Sequence, residues 1–197
     1  PPAGGVMKSV QTHIFRQAGA SYIVRAAHAI NQGHEPESAP NATGDFFFVE
    51  AHAVGSNAWT TLPDLNGHSS GDTGASCPAW LGLHPFLEHY QSAAADGLSC
   101  EPTGTTGTWS AAAGDSAGPE QWRVDLSAYA GTQVEVSLSY ASDESVQRPG
   151  VFIDDIAVST GEGSTSFEAD ADPLDGWTVP GPPPGSPGND TDWAVGG

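Results

Sequence analysis

The sequence predicts an all-β, antiparallel domain, on three observations. Gly and Pro, 25 and 16 of 197 residues, make up about a fifth of the chain, which commits much of its length to turns and favours short strands over a helical bundle. Hydrophobic residues, at 38%, suffice for the packed core of one sizeable domain. The strongest apolar and β-branched runs fall at 45–54, 133–140 and 150–158, each of strand length.

Taken in order, residues 14–30 are the ambiguous stretch. Phe15, Ala18, Tyr22, Ala26 and Ala29 recur at helical spacing, and this periodicity slightly favours a helix, yet Tyr22-Ile23-Val24 also reads as strand. Asp45-Phe46-Phe47-Phe48-Val49-Glu50-Ala51-His52-Ala53-Val54 is the clearest strand, apolar on both faces at its centre and stopped by Gly55-Ser56-Asn57. Trp59-Thr60-Thr61-Leu62 returns as a second short strand, giving a hairpin. Residues 63–107 are irregular, with a helical turn or two expected at 83–90. Strand signals resume at 121–126, turn at Ala130-Gly131-Thr132, and continue in 133–140, where Val134, Val136 and Leu138 share one face and Glu135, Ser137 and Ser139 the other. Residues 150–158 form the last strand. The Pro- and Gly-rich stretch 181–197 reads as a tail or linker to a domain spanning 1–180.

Five Lys and Arg (Lys8, Arg16, Arg25, Arg123, Arg148) stand against 24 Asp and Glu, for a net charge of −19. Such a surface repels a phosphate backbone and an anionic membrane, so neither nucleic acid nor membrane is expected as a partner. No apolar run reaches the length of a membrane span. The opening Pro1-Pro2-Ala3-Gly4-Gly5, without an initiator Met, reads as an excised or processed start.

Cys77 and Cys100 flank a Gly-, Ala-, Pro- and His-containing stretch. No CxxC pairing points to zinc, and a disulfide closing this long loop is favoured over two buried thiols. It would add roughly 3 kcal/mol by loop-closure entropy and place the protein in an oxidising, extracellular setting.

Two stretches carry a family resemblance. One is Phe48-Val49-Glu50-Ala51-His52 with Trp59-Thr60-Thr61-Leu62-Pro63-Asp64 and Asn66-Gly67-His68. The other is Trp122-Arg123-Val124-Asp125-Leu126-Ser127-Ala128-Tyr129-Ala130-Gly131, then Val134-Glu135-Val136-Ser137 and Val151-Phe152-Ile153-Asp154-Asp155, ending in Ser166-Phe167-Glu168 and Gly176-Trp177-Thr178-Val179. Over residues 45–192 the chain resembles the β-sandwich that follows the catalytic domain in secreted actinobacterial zinc carboxypeptidases, related to a module of immune inhibitor A-type metallopeptidases. The resemblance implies a jelly-roll-like antiparallel β-sandwich and a strand within residues 22–30. It also implies a non-catalytic accessory role, with the catalytic peptidase domain of the same polypeptide as partner and the catalytic zinc in that domain. The alternative function is a lectin-like module binding carbohydrate, a cell-surface polymer or matrix.

Few residues qualify for chemistry. His34-Glu35-Pro36-Glu37 has the HxxE spacing of two zinc ligands, but lacks a flanking element, a third ligand and the accompanying Glu and Arg. His84 and His89 are five apart, about 500° around a helix, so their rings diverge and read as structural. His68 with His52 or His84 could frame a surface metal site, which the spacing neither supports nor excludes. No Gly-x-Ser-x-Gly elbow is present, and 24 carboxylates do not single out a glycosidase pair. The favoured site is structural calcium. In Asp154-Asp155, strand alternation should turn one carboxylate inward, where a cation would offset its burial. Analogy with carbohydrate-binding jelly rolls puts Asp154 first, Glu168 second and Asp155 in reserve. Among six tryptophans, Trp80 and Trp109, in irregular stretches, are the expected exposed pair for a ligand platform.

Overall fold

The computed structural model describes residues 6–15, 21–29, 45–74, 77–142, 150–168, 172, 174–187 and 193–194, with backbone alone in the first two strands and at 45, 115, 117, 142 and 150. In chain order the strands are β1 (Val6–Phe15), β2 (Ser21–Ala29), β3 (Asp45–Ala53), β4 (Thr60–Thr61), β5 (Ser92–Ala93), β6 (Cys100–Glu101), β7 (Asp115–Asp125), β8 (Val134–Ser142) and β9 (Gly150–Val158). One short helix, α1 (Cys77–Leu83), and two 3-10 turns, Pro85–His89 and Ser127–Tyr129, lie between them. The fold is all-β and antiparallel, as expected: β1-β8-β3-β4 form one sheet, β7-β2-β9 a second, and β5-β6 a small ribbon.

The helical spacing at 14–30 misleads. Within it, Ile14 and Phe15 end β1 and residues 21–29 form β2, which pairs with β7 on one side and β9 on the other. Pairing on both edges supplies what local periodicity cannot, and tertiary context overrides a weak Ala-based helical pattern. β7 also starts earlier than expected, at Asp115. Pro119 fits there because β7 is an edge strand, and a register shift opposite Ala27 and Ala29 absorbs Gly118.

The two larger sheets share one apolar core. Phe47, Val49 and Ala51 of β3 and Val134, Val136, Leu138 and Tyr140 of β8 cluster with Trp122 and Val124 of β7 and Ile156 and Val158 of β9. Phe47 meets Trp122 edge to face across 4.9 Å, a geometry favoured by the ring quadrupoles. The opposite face of β3 and β8 is covered as well. Phe46, Phe48 and Ala141 form a second cluster with Trp59, Trp80, Leu87, Tyr90, Trp109 and Ala111. This cover comes from the irregular stretch and the residues flanking it, cross-linked by Cys77–Cys100 with Cα atoms 5.8 Å apart.

The cover is held to itself by backbone. The amides of Thr105 and Gly107 donate to the carbonyls of Glu88 and His89 at 2.8 Å each. That approach requires a glycine at 104, where a Cβ would lie 2.3 Å from the Tyr90 nitrogen. The stretch 180–187 also packs here: His84 Nδ1 lies 3.2 Å from Ser186 Oγ, so this part of the expected tail is docked on the cover.

Candidate functional site

Strand alternation builds the site. On β3 the residues facing the cover are Phe46, Phe48, Glu50 and His52, and their antiparallel partners on β8 are Ala141, Ser139, Ser137 and Glu135. The row therefore grades from apolar to charged along the strand. Glu50, 2% exposed, sits where the apolar cover gives out.

Its carboxylate is held by side chains from two elements. Tyr90, from the end of the Pro85–His89 turn, donates its phenol O–H to Glu50 Oε2, and Ser139 donates to Oε1 at 2.7 Å. Ser137 Oγ lies 3.2 Å from Ser139 Oγ. Burial pushes the Glu50 carboxyl up to about 7, while the hydrogen bonds of Tyr90, Ser139 and Ser137 pull it back and Glu135 adds to the rise. Burial, then the charge of Glu50, raises the Tyr90 phenol well above its usual range, so Tyr90 stays a donor.

A cavity of about 560 Å³ opens beside this carboxyl, lined by Glu50, Ser137, Trp59, Phe86, His89 and Asn57 together with Pro85 and residues 180–184. Trp59 and Phe86 meet edge to face at 5.8 Å. His52 stacks on Trp59 at 3.9 Å and 26°, and its Nε2 lies 3.1 Å from Glu135 Oε2. Partial burial, with a smaller contribution from His52, holds the His89 imidazole below its usual range against the opposing pull of Glu88. The cavity thus brings together a carboxyl pushed up to about 7 and an imidazole held below its usual range.

The expected site residues fall elsewhere. Cys77 and Cys100 are joined. Trp80 and Trp109 are not a platform: both are buried, at 4% and 3%. They flank Phe46 at 5.6 and 5.4 Å, because the irregular stretch folds back over the sheet rather than away from it. The inward carboxylate at Asp154-Asp155 is likewise not found. A register shift opposite Ile23 and Arg25 and a positive φ of 52° at Asp155 break the alternation, leaving Asp154 and Asp155 exposed while Ile156 resumes inward. Glu168 is exposed too. Among the described residues no group of three or more His, Cys, Asp or Glu side chains is placed to hold a metal; calcium at Asp154 and Glu168 stays an expectation of the sequence, without the inward burial that motivated it.

The histidines have their own partners. His84 is fully buried, and His89 Nδ1 lies 2.8 Å from Thr106 Oγ1. His68 Nδ1 lies 2.7 Å from Asp64 Oδ2. Asp64 is itself a structural hub, accepting the amides of His68 at 3.0 Å and Arg123 at 2.6 Å. The HxxE pattern at 34–37 lies outside the described residues.

Glu50 escaped sequence reasoning because it reads as one carboxylate in a strand. The available signal was its face: it shares the side of Phe46 and Phe48, so a cover over those rings must reach it. No protein-family model matches the chain, and no curated protein matches it by sequence.

Proposed function

We infer that the chain is a non-catalytic accessory domain of a secreted zinc metallopeptidase of the carboxypeptidase kind, which it stabilises or positions. The observation that carries this reading is the contrast between closed and open faces. Both faces of β3 and β8 are sealed, one by the second sheet and one by the disulfide-linked cover. On the two edge strands of the second sheet, Gln121, Arg123 and Asp125 of β7 and Asp154 of β9 are exposed, as is Phe152 at 57%. Among its described side chains this face is mainly polar apart from Phe152, which suits docking of a neighbouring domain, since interfaces within a chain are more polar than obligate ones. The disulfide supports an oxidising compartment, and no described helix is long and apolar enough to cross a membrane.

The rival reading, a carbohydrate- or matrix-binding module, calls for a row of open aromatic faces. Of the six tryptophans, Trp59, Trp80, Trp109, Trp122 and Trp177 are buried and Trp193 is half-buried against the core. The test is the open reading frame that encodes the chain. A zinc-peptidase domain in the same frame, whose half-life at elevated temperature falls when this domain is deleted and falls again with Phe152→Glu, supports the proposal. Retention of the isolated chain on insoluble polysaccharide, with no peptidase domain in frame, overturns it in favour of the rival.

A further inference from the structure

The cavity beside Glu50 pairs a deeply buried carboxyl with apolar walls. None of the described residues lining it is Lys or Arg, and the chain as a whole carries −19. A cation is drawn in by the negative field, and Glu50 is among the residues lining the cavity. Anions are excluded on both counts.

Three cationic or polar classes remain, and the geometry separates them. A sugar ring needs an open aromatic face, but Trp59 is 7% exposed and one of its faces is taken by His52 at 3.9 Å. A guanidinium binds a carboxylate best through both oxygens at once. Here Oε1 already accepts from Ser139 and Oε2 from Tyr90, so a two-pronged fork must share both oxygens with existing donors. An ammonium is a point charge that needs one remaining lone pair, and its slender methylene stem passes where a ring does not.

We propose that this cavity is a binding site for an alkylammonium group, carried by a lysine side chain of a polypeptide or by a free diamine. The ammonium faces Glu50 and Ser137, and the stem lies against Trp59 and Phe86. The inference stands on the cavity and holds whether or not the chain serves a peptidase. Occupancy by a cation favours the carboxylate form of Glu50, so below neutrality binding expels a proton. Among the described residues the groups acting on this carboxyl are Tyr90, Ser139, Ser137 and Glu135, none of them cationic; His89, held below its usual range chiefly by burial, lines the same cavity.

The experiment is calorimetric titration of the full chain at pH 6, in two buffers of different ionisation enthalpy. The probes are Nα-acetyl-lysine methylamide, 1,5-diaminopentane, Nα-acetyl-norleucine methylamide, Nα-acetyl-arginine methylamide and a neutral disaccharide. At least one ammonium probe should bind ten-fold or more tighter than the norleucine and arginine probes, releasing a fraction of a proton per site. Glu50→Gln should erase that ten-fold preference and the proton release. Phe86→Ala, at a half-buried position, should weaken binding about five-fold while keeping the release. If the lysine probe binds and the diamine does not, the source is a polypeptide; the reverse identifies a free amine. Equal binding of the norleucine probe, tighter binding of the disaccharide, an unchanged preference in Glu50→Gln, or no binding by either ammonium probe overturns the proposal.

Discussion

The two faces of β3 and β8 are built from the same strands but follow different chemistry. The face toward the second sheet is uniformly apolar, from Phe47, Val49 and Ala51 to Val134, Val136 and Leu138. The face toward the cover begins as aromatic at Phe46 and Phe48, turns to a serine-held carboxyl at Glu50 and ends in the His52–Glu135 pair. Between sheets, regular elements position one another and apolar filling is enough. Under the irregular cover, a disulfide, hydrogen bonds and close glycine contacts do the positioning, and polar side chains can be kept at the boundary. Function can be placed on the second face because the first already secures the fold.

That division is open to direct attack. The largest effect is expected from Trp122→Ala on the apolar face. The ring is fully buried against Phe47, and its removal should cost about 4 kcal/mol in urea unfolding; a loss below about 1 kcal/mol would show that the two sheets do not depend on a common core. Next is the double variant Cys77→Ala/Cys100→Ala, for which roughly 3 kcal/mol is expected. Hydrogen exchange should speed up mainly in residues 77–110 and little in β8. Equal acceleration throughout would mean that the two clusters unfold as one unit.

Glu50 supplies the third effect, and its sign follows from the raised pKa. The protonated carboxyl is the form the folded state prefers. Its contribution is complete below about 4.5 and is lost as pH rises through about 7. Between pH 5.5 and 7.5 wild-type stability should fall by about 2 kcal/mol relative to Glu50→Gln. The variant should be the more stable protein at pH 8. Parallel pH profiles for the two would place Glu50 in contact with water.

Legibility divides along the same line. β3 and β8 were readable because alternation on a half-regular sheet is local, and the apolar centre of β3 on both faces already signalled a strand buried twice. The disulfide followed from two cysteines and a poorly patterned loop. The second cover was not readable, since residues 63–107 have no period. Nor were the partners of Glu50, because Tyr90 is 40 residues away and Ser139 is 89 away. The inward turn expected at Asp154-Asp155 is absent for a related reason: alternation assumes no extra residue, and Asp155 is one, at a positive φ that the sequence does not announce.

Two smaller effects sharpen the picture. Asp64→Asn weakens the acceptor that ties the loop after β4 to the Arg123 amide, the stitch between covered strand and second sheet. About 1 kcal/mol is expected, with exchange faster at the Arg123 amide; an unaffected Arg123 amide would remove this stitch. Least of all is the response to divalent ions. Calcium and magnesium at equal ionic strength should raise the melting temperature alike, with Asp154→Asn changing neither; a rise specific to calcium and lost in that variant would establish a site at the Asp155 irregularity.

That irregularity also bears on how the molecule behaves in company. An open sheet edge invites another chain to pair with it, and proteins blunt such edges with bulges, prolines, charge or brevity. Among the described residues, each edge of the two larger sheets carries one of these devices. β4 is two residues long, β7 contains Pro119 and a register shift, β9 breaks at its adjacent aspartates, and β1 shifts register between Gln11 and His13. With strong like charge between copies added, the protein is built to stay apart from itself at high concentration, and colloidal solubility is a property of its backbone as much as of its surface.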